Sequence, residues 1–290
     1  MVAQQEWSSF DALIPGEMAA RAVEVGERKA RLDLVTLFAL AVLAGAFIAL
    51  GAMFSTTVVA GATDRVPFGI TRLVAGLAFS LGLVLVVVGG AELFTGNNLI
   101  IMAWASRRIG TRLLVRNWVV VYAGNFLGAV ATAGLVYVSD QYTFGHGAVG
   151  KAALEIGNAK AGLSFLQAVA LGVLCNALVC LAVWLSLSAR TTIDRVVAVI
   201  FPVTAFVAAG FEHSIANMFF IPIAIFIKHD APSSFWTNIG TSPGTYSDLN
   251  WTNFLVNNLL PVTIGNIIGG TVLVGAVYWL VYLRPGRRAR

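Results

Sequence analysis

Charge is scarce in this sequence. Asp, Glu, Lys and Arg make up 11% of the 290 residues, while apolar residues make up 58%. Soluble domains carry roughly 25% charged residues. A chain this poor in charge would show water broad apolar patches, which argues against a soluble globular domain. Cysteine is nearly absent: Cys175 and Cys180 are the whole supply. Both fall in one apolar run, where helix rise and radius set their Cα atoms too far apart for a disulfide. They read as packing residues, and no cysteine pattern suggests a metal, so no cofactor is expected. A basic block is missing too. The net charge of +5 is scattered in short clusters between apolar runs, a pattern that excludes a nucleic-acid partner and fits a protein threaded through a bilayer.

Six apolar runs are present, near 34–61, 68–105, 112–138, 162–187, 196–227 and 253–283. Each meets the need for about 20 residues to span a membrane as a helix. The second and fifth are too long for one simple helix, and their middles are not apolar. Residues 89–98 read GGAELFTGNN and residues 210–217 read GFEHSIAN. Polar, glycine-rich backbone at membrane depth survives only where protein buries it or a wet cavity receives it. These two spans are therefore expected to be broken helices.

Lys and Arg set the orientation. Fourteen of the 19 fall in the segments that share a side with the two termini, from Arg21 to Arg31, Arg107 to Arg116, Arg190 to Arg195 and Arg284 to Arg290. The opposite segments hold Arg65, Lys151, Lys160 and Lys228, with Arg72 near an outer helix end. The bias puts both termini in the cytoplasm. Trp104, Trp184 and Trp279 precede the arginine clusters, at interface depth. Residues 1–33 lack the apolar core of a cleavable signal peptide. They form either an amphipathic cytoplasmic helix on the inner surface or a solvated lead-in.

The chain also repeats itself. Residues 90–101, GAELFTGNNLII, lie over 210–221, GFEHSIANMFFI, with Gly90, Glu92 and Asn97 matching Gly210, Glu212 and Asn217. In the third and sixth spans Asn117, Gly124, Asn125 and Gly128 match Asn258, Gly265, Asn266 and Gly269. Three spans per copy is an odd number, so the second copy enters from the opposite side. The expected architecture is an all-α membrane protein of six helices in two inverted three-helix repeats, 34–138 and 162–283. An extracytoplasmic connecting loop, 139–161, joins them, and a basic tail, 284–290, follows. Paired interrupted helices in inverted halves point to a binding site at the midplane. The two GxxxG pairs suit close helix approach.

His213 is the one histidine at membrane depth, inside a break, and an ionisable group there is a functional candidate. Imidazole donates a hydrogen bond when neutral and adds a positive charge when protonated, which suits an anion. Thr95 occupies the other break. Its hydroxyl is either a partner for the histidine or the ion, or a loop hydroxyl bonded to its own backbone. Glu92 and Glu212 look like filter charges, but bare carboxylates would repel anions. Their matched places suit braces that accept backbone N–H groups exposed at the breaks. Asn97 and Asn217 are expected to cap the half-helices that follow, whose positive dipole ends would face the pore. Phe79 and Leu83 share a face of the second span, Leu93 stands at one break and Phe206 precedes the other. Such side chains around a polar centre can gate by dewetting, although spacing alone favours core packing.

At these motifs the sequence resembles the formate/nitrite transporter family, most closely its FocA-type formate channels. The residues that carry the likeness are Ala91-Glu92-Leu93-Phe94-Thr95-Gly96-Asn97, the run Gly210–Phe219 around His213, Leu178–Trp184 and Pro261–Gly270. The likeness implies an aquaporin-like fold, a homopentamer with one pore per protomer, and a flexible N-terminal helix that gates the inner mouth. It implies a central selectivity and proton-relay site of His213 and Thr95, with Asn176 and Asn266 matching polar residues nearby. Phe79 with Phe206 and Leu83 with Leu93 would be the outer and inner constrictions, and Lys160 a basic residue of the outer vestibule. The pair Thr95-Gly96 is also widespread among nitrite-type members, so that break alone does not name the substrate. The second motif and the last span favour formate.

The expectation is therefore a channel, not an enzyme, in a bacterial-type cytoplasmic (inner) membrane. It carries formate and related small monovalent anions, with His213 able to pass a proton. Its partners are the anion, protons, the lipid bilayer and further copies of itself. Nitrite or hydrosulfide is the alternative cargo. A water or glycerol pore is a rival that a filter arginine would favour, and no arginine is expected near either break. A membrane enzyme would need more convergent groups than one histidine and two glutamates.

Overall fold

The computed structural model describes residues 11–62 and 65–284. The first ten residues of the N-terminal segment and most of the basic tail, including Arg287, Arg288 and Arg290, lie outside the described residues. All regular elements among the described residues are helical.

Helix α1 (Pro15–Ala30) precedes the spans. Helices α2 (Leu34–Val59), α3 (Phe68–Gly89), α4 (Phe94–Asn97), α5 (Ile101–Ala105) and α6 (Thr111–Val138) make the first half. Helices α7 (Ala148–Ala161), α8 (Phe165–Ser188), α9 (Thr192–Ala208), α10 (Ser214–Asp230), α11 (Ser233–Ile239) and α12 (Asn253–Tyr282) make the second. Five of them, α2, α3, α6, α8 and α12, are long and apolar enough to cross a bilayer. The sixth crossing is divided between α9 and α10, 17 residues each. Helix ends follow local chemistry. Asp33 Oδ1 accepts the Thr36 N–H at 3.0 Å and starts α2. A capping box of Thr191 and Asp194 starts α9, four residues before the apolar run begins.

The polarity of the molecule is inside out. Val35, Phe54, Leu135, Leu166, Phe201 and Val256 stand exposed on the outer faces of the spans, while Glu92, Glu212, His213 and eight asparagines are buried. Lipid or a neighbouring subunit can cover the first group. The second can persist in a low-dielectric interior only if each member is hydrogen-bonded.

The two breaks fall where the sequence places them. Gly90 ends α3 and Gly210 ends α9, both left-handed, with φ of 80° and 77°. That conformation is open to glycine at no steric cost. The close-packed seams repeat as well. A Cβ on Gly128 of α6 would fall on the Val42 carbonyl of α2, and one on Gly269 of α12 would fall on the Val173 carbonyl of α8.

One element differs from expectation. The segment 139–161, read as a connecting loop, carries helix α7, which packs its Val149, Gly150, Ala153, Leu154 and Gly157 face inward. Its place before α8 mirrors that of α1 before α2. Helix α1 buries Met18, Ala19, Ala22, Val23 and Gly26, and Gly26 lies close against Ala103 and Ile100. It is a packed amphipathic helix, not a solvated lead-in. The repeating unit thus takes in a short amphipathic helix ahead of its three spans.

Candidate functional site

Each break is held by the same set of hydrogen bonds. Glu92 accepts Lys29 Nζ on Oε1 at 3.1 Å and Asn97 Nδ2 on Oε2 at 2.7 Å. Glu212 accepts Lys160 Nζ on Oε1 at 2.6 Å and Asn217 Nδ2 on Oε2 at 2.7 Å. Asn97 Nδ2 also reaches Asn117 Oδ1 at 2.9 Å, and Asn217 Nδ2 reaches Asn258 Oδ1 at 2.8 Å. Asn117 and Asn258 donate in turn to the carbonyls of Lys29 and Lys160. Lys29 and Lys160 are the penultimate residues of α1 and α7. The expected partners of the glutamates are corrected: they are lysine and asparagine side chains, not backbone N–H groups. Asn97 and Asn217 are not caps: Leu93 and His213 hold the cap positions of α4 and α10. Each carboxylate thus takes one donor from a distant lysine and one from the asparagine five residues on.

A second matched pair holds the backbone on either side. Asn125 donates to the carbonyls of Ala41 and Glu92 and accepts the Phe94 N–H at 2.9 Å. Asn266 donates to the carbonyls of Gly172 and Glu212 and accepts the Ser214 N–H at 2.9 Å. The first N–H of each half-helix is thus taken by an asparagine and does not face an open pore. Asn176 donates to Asn98 Oδ1 at 2.7 Å and to the Asn266 carbonyl at 2.6 Å. Among the described residues neither Asn176 nor Asn266 bonds to the His213 ring, and neither lines either of the two cavities beside it. They shape the central site from behind.

His213 and Thr95 meet across the two breaks, with Thr95 Oγ1 3.0 Å from His213 Nε2. The other ring nitrogen, Nδ1, accepts the Ala216 N–H at 3.1 Å. An accepting Nδ1 carries no proton, so the neutral ring has its proton on Nε2, directed at Thr95. The threonine oxygen accepts it, and its own hydrogen is left to serve a passing acceptor. The Thr95 carbonyl is bonded by Cys180 Sγ at 3.3 Å. Both cysteines are buried and unbridged.

The apolar residues of the sequence reading lie on the two sides of this pair. Phe79 and Phe206 meet edge to face with centroids 5.6 Å apart, and Phe206 stacks on the His213 ring at 5.9 Å. They line a cavity of about 150 Å³, on the side that the sequence reading takes as outer, together with Lys160 and His213. Leu83 and Leu93 line a second cavity of about 410 Å³, on the side that the sequence reading takes as inner, together with Glu92, Lys29, Arg21, Arg28 and Arg195. The His213–Thr95 pair thus has aromatic rings and a basic-lined cavity on one side, and leucines and a second basic-lined cavity on the other.

Two charged residues escape a reading of the sequence. Lys29 pairs with Glu92 across 63 positions, and the clue is its place: like Lys160, it stands just before the first span of its repeat. Arg72 is the other. Its Nε donates to the Ala208 carbonyl at 3.0 Å and its Nη2 to the Val207 carbonyl, at the end of α9 beside the second break. The expectation that no arginine lies near a break is thereby corrected. Arg72 is separated from its partners by 136 and 135 residues, and no local pattern joins them.

Known proteins match this arrangement. Residues 16–280 fit the family model described as formate/nitrite transporter. The chain is 47% identical to the formate channel FocA of Escherichia coli over 95% of its length and 96% of that protein's. It is 41% identical to the formate channel FocA of Haemophilus influenzae, again over 95% and 96% of the two chains. A solved structure described as a pentameric formate channel with formate bound superposes with a TM-score of 0.82 at 50% identity. The superposition covers 87% of this chain and 98% of that one.

Proposed function

This chain belongs to the formate/nitrite transporter family, and from that premise we propose that it is a multi-pass membrane channel for formate and related small monovalent anions. The observation that carries the reading is a buried His213–Thr95 pair, 3.0 Å apart, set between two apolar constrictions and two basic chambers. Apolar constrictions penalise a bare anion heavily. Formic acid, with a carboxylate-range pKa near 4, is almost wholly ionised near neutrality. A donor held between the constrictions offsets part of that desolvation. Glu92 and Glu212 do not oppose the anion, because each carboxylate is neutralised by its own lysine.

Protons enter through the same residue. Imidazolium needs hydrogen on both nitrogens, and Nδ1 is occupied by the Ala216 N–H. Passing a proton to the anion then requires His213 to let go of the first turn of α10. In this reading conduction by hydrogen bonding is the resting mode. Proton coupling accompanies a small movement at the second break. The assembly is a homopentamer with a passage in every protomer, seated in a bacterial-type inner membrane with both termini in the cytoplasm, and it is a channel without catalytic chemistry.

Purified protein in liposomes tests the proposal. Labelled formate should enter protein-containing vesicles much faster than empty ones, while stopped-flow shrinkage shows little added water permeability. Fast water flow with no formate uptake would instead mark a neutral-solute pore.

A further inference from the structure

Arg72 occupies the second turn of α3, and Phe79 follows it by seven residues on the same helix. Two turns separate them, so the Cα of Arg72 lies on the same face about 10 Å along the helix from that of Phe79, and its guanidinium stands beside Val207, the neighbour of Phe206. It is fixed there. The Val207 and Ala208 carbonyls belong to the last turn of α9, where helix carbonyls run out of intrahelical partners; the Gly210 N–H reaches the Val207 carbonyl at 3.1 Å. Arg72 bonds both of them. The absent Cβ of Gly210 makes room, since an atom there would lie 3.3 Å from Arg72 Nη2.

A guanidinium has five N–H donors. Two are spent on the carbonyls, and Nη1 with the second hydrogen of Nη2 remain. The side chain lines the outer cavity together with Lys160, Phe79, Phe206 and His213. None of the four ion pairs among the described residues includes Arg72. Glu212 is committed to Lys160, Asn217 and Asn258. Lys160 is therefore in direct contact with its counter-charge, whereas Arg72 feels the Glu212 charge only at a distance and makes no ion pair of its own. Counted from the matched glycines Gly90 and Gly210, the second repeat has Thr192 in the place of Arg72, so the feature belongs to the outer mouth alone.

Resting on the reading of the chain as a formate channel, we propose that Arg72 is an anion-docking and specificity residue. Its free N–H edge receives planar two-oxygen monovalent anions just before the Phe79–Phe206 constriction. A planar fork matches two carboxylate-type oxygens, which an ammonium or a lone dipole does not. Formate and nitrite gain from it, and a single-atom acceptor such as hydrosulfide gains from the charge alone.

The test compares wild type, Arg72→Lys and Arg72→Gln in liposomes, each first shown to elute as the same oligomer. Initial rates of labelled formate uptake are followed against concentration, and hydrosulfide influx against the same series. Loss of the fork in Arg72→Lys should raise the half-saturating formate concentration about tenfold and move hydrosulfide by less than about twofold. Loss of the charge in Arg72→Gln should weaken both and flatten the dependence of uptake on ionic strength. Formate saturation unchanged in Arg72→Lys overturns the proposal, as does an equal loss for both anions, which marks Arg72 as a helix-end brace only. Wild-type vesicles that carry no formate at all would overturn the channel reading itself. Wild-type uptake with unaltered variants overturns this inference alone.

Discussion

His213 is a donor with one direction. Its Nδ1 is tied to Ala216 and its Nε2 faces Thr95, so the side chain delivers hydrogen toward the passage whatever the external pH. His213→Gln can keep a donor at that position but cannot carry a proton. Formate uptake should stay within about tenfold of wild type near neutrality, and any rise in uptake toward acid pH should disappear. A pH profile that overlays the wild type would remove proton coupling from the account. The lysine–glutamate pairs give a second prediction. Lys160→Met leaves Glu212 buried and unpaired, and breaking a buried pair from one side costs about 3–5 kcal/mol. The variant should unfold at a clearly lower temperature in detergent, and Glu212→Gln in the same chain should restore much of the loss.

At the scale of elements, α6 on α2 and α12 on α8 are set by backbone contact. Gly269→Leu would drive a side chain into the Val173 carbonyl. Overpacking costs about 1–3 kcal/mol or more, so little intact oligomer should survive size-exclusion chromatography. Helix α1 is held differently. Arg108 Nε and Arg31 Nε both reach the Glu27 carboxylate. The Arg108 guanidinium bonded to it keeps that carboxyl below its usual value of 4.5. A lowered folded-state pKa means that the contact stabilises docking above the carboxylate range and is lost as pH falls through it. Glu27→Gln should therefore speed amide exchange in α1 at neutral pH, with wild type approaching the same rate only in acid. Much of this level was legible in the sequence. The six apolar runs, the two breaks and the matched GxxxG pairs were visible because membrane helices announce themselves by length and small residues by spacing. Helix α7 was not, since a short half-polar helix in a loop has no run long enough to stand out. Lys29 and Arg72 were hidden for another reason: their partners lie in other elements, and sequence spacing says nothing about which helix end an arginine will find.

The whole molecule presents greasy outer faces and a polar seam inside, the inverse of a soluble domain. Its likeness to channels covers almost the full chain, and that breadth lets assembly be proposed with function. A homopentamer should appear as one species of about five chain masses by native mass spectrometry, stable to dilution as an obligate interface is. The claim on which the rest depends is that this seam conducts formate past His213. Uptake of labelled formate into liposomes, with unlabelled nitrite added as competitor at two pH values, addresses it most directly. The account predicts saturable uptake above empty vesicles, reduced by nitrite and nearly abolished in His213→Phe. Uptake equal to that of empty vesicles, or unaffected by His213→Phe, would contradict it.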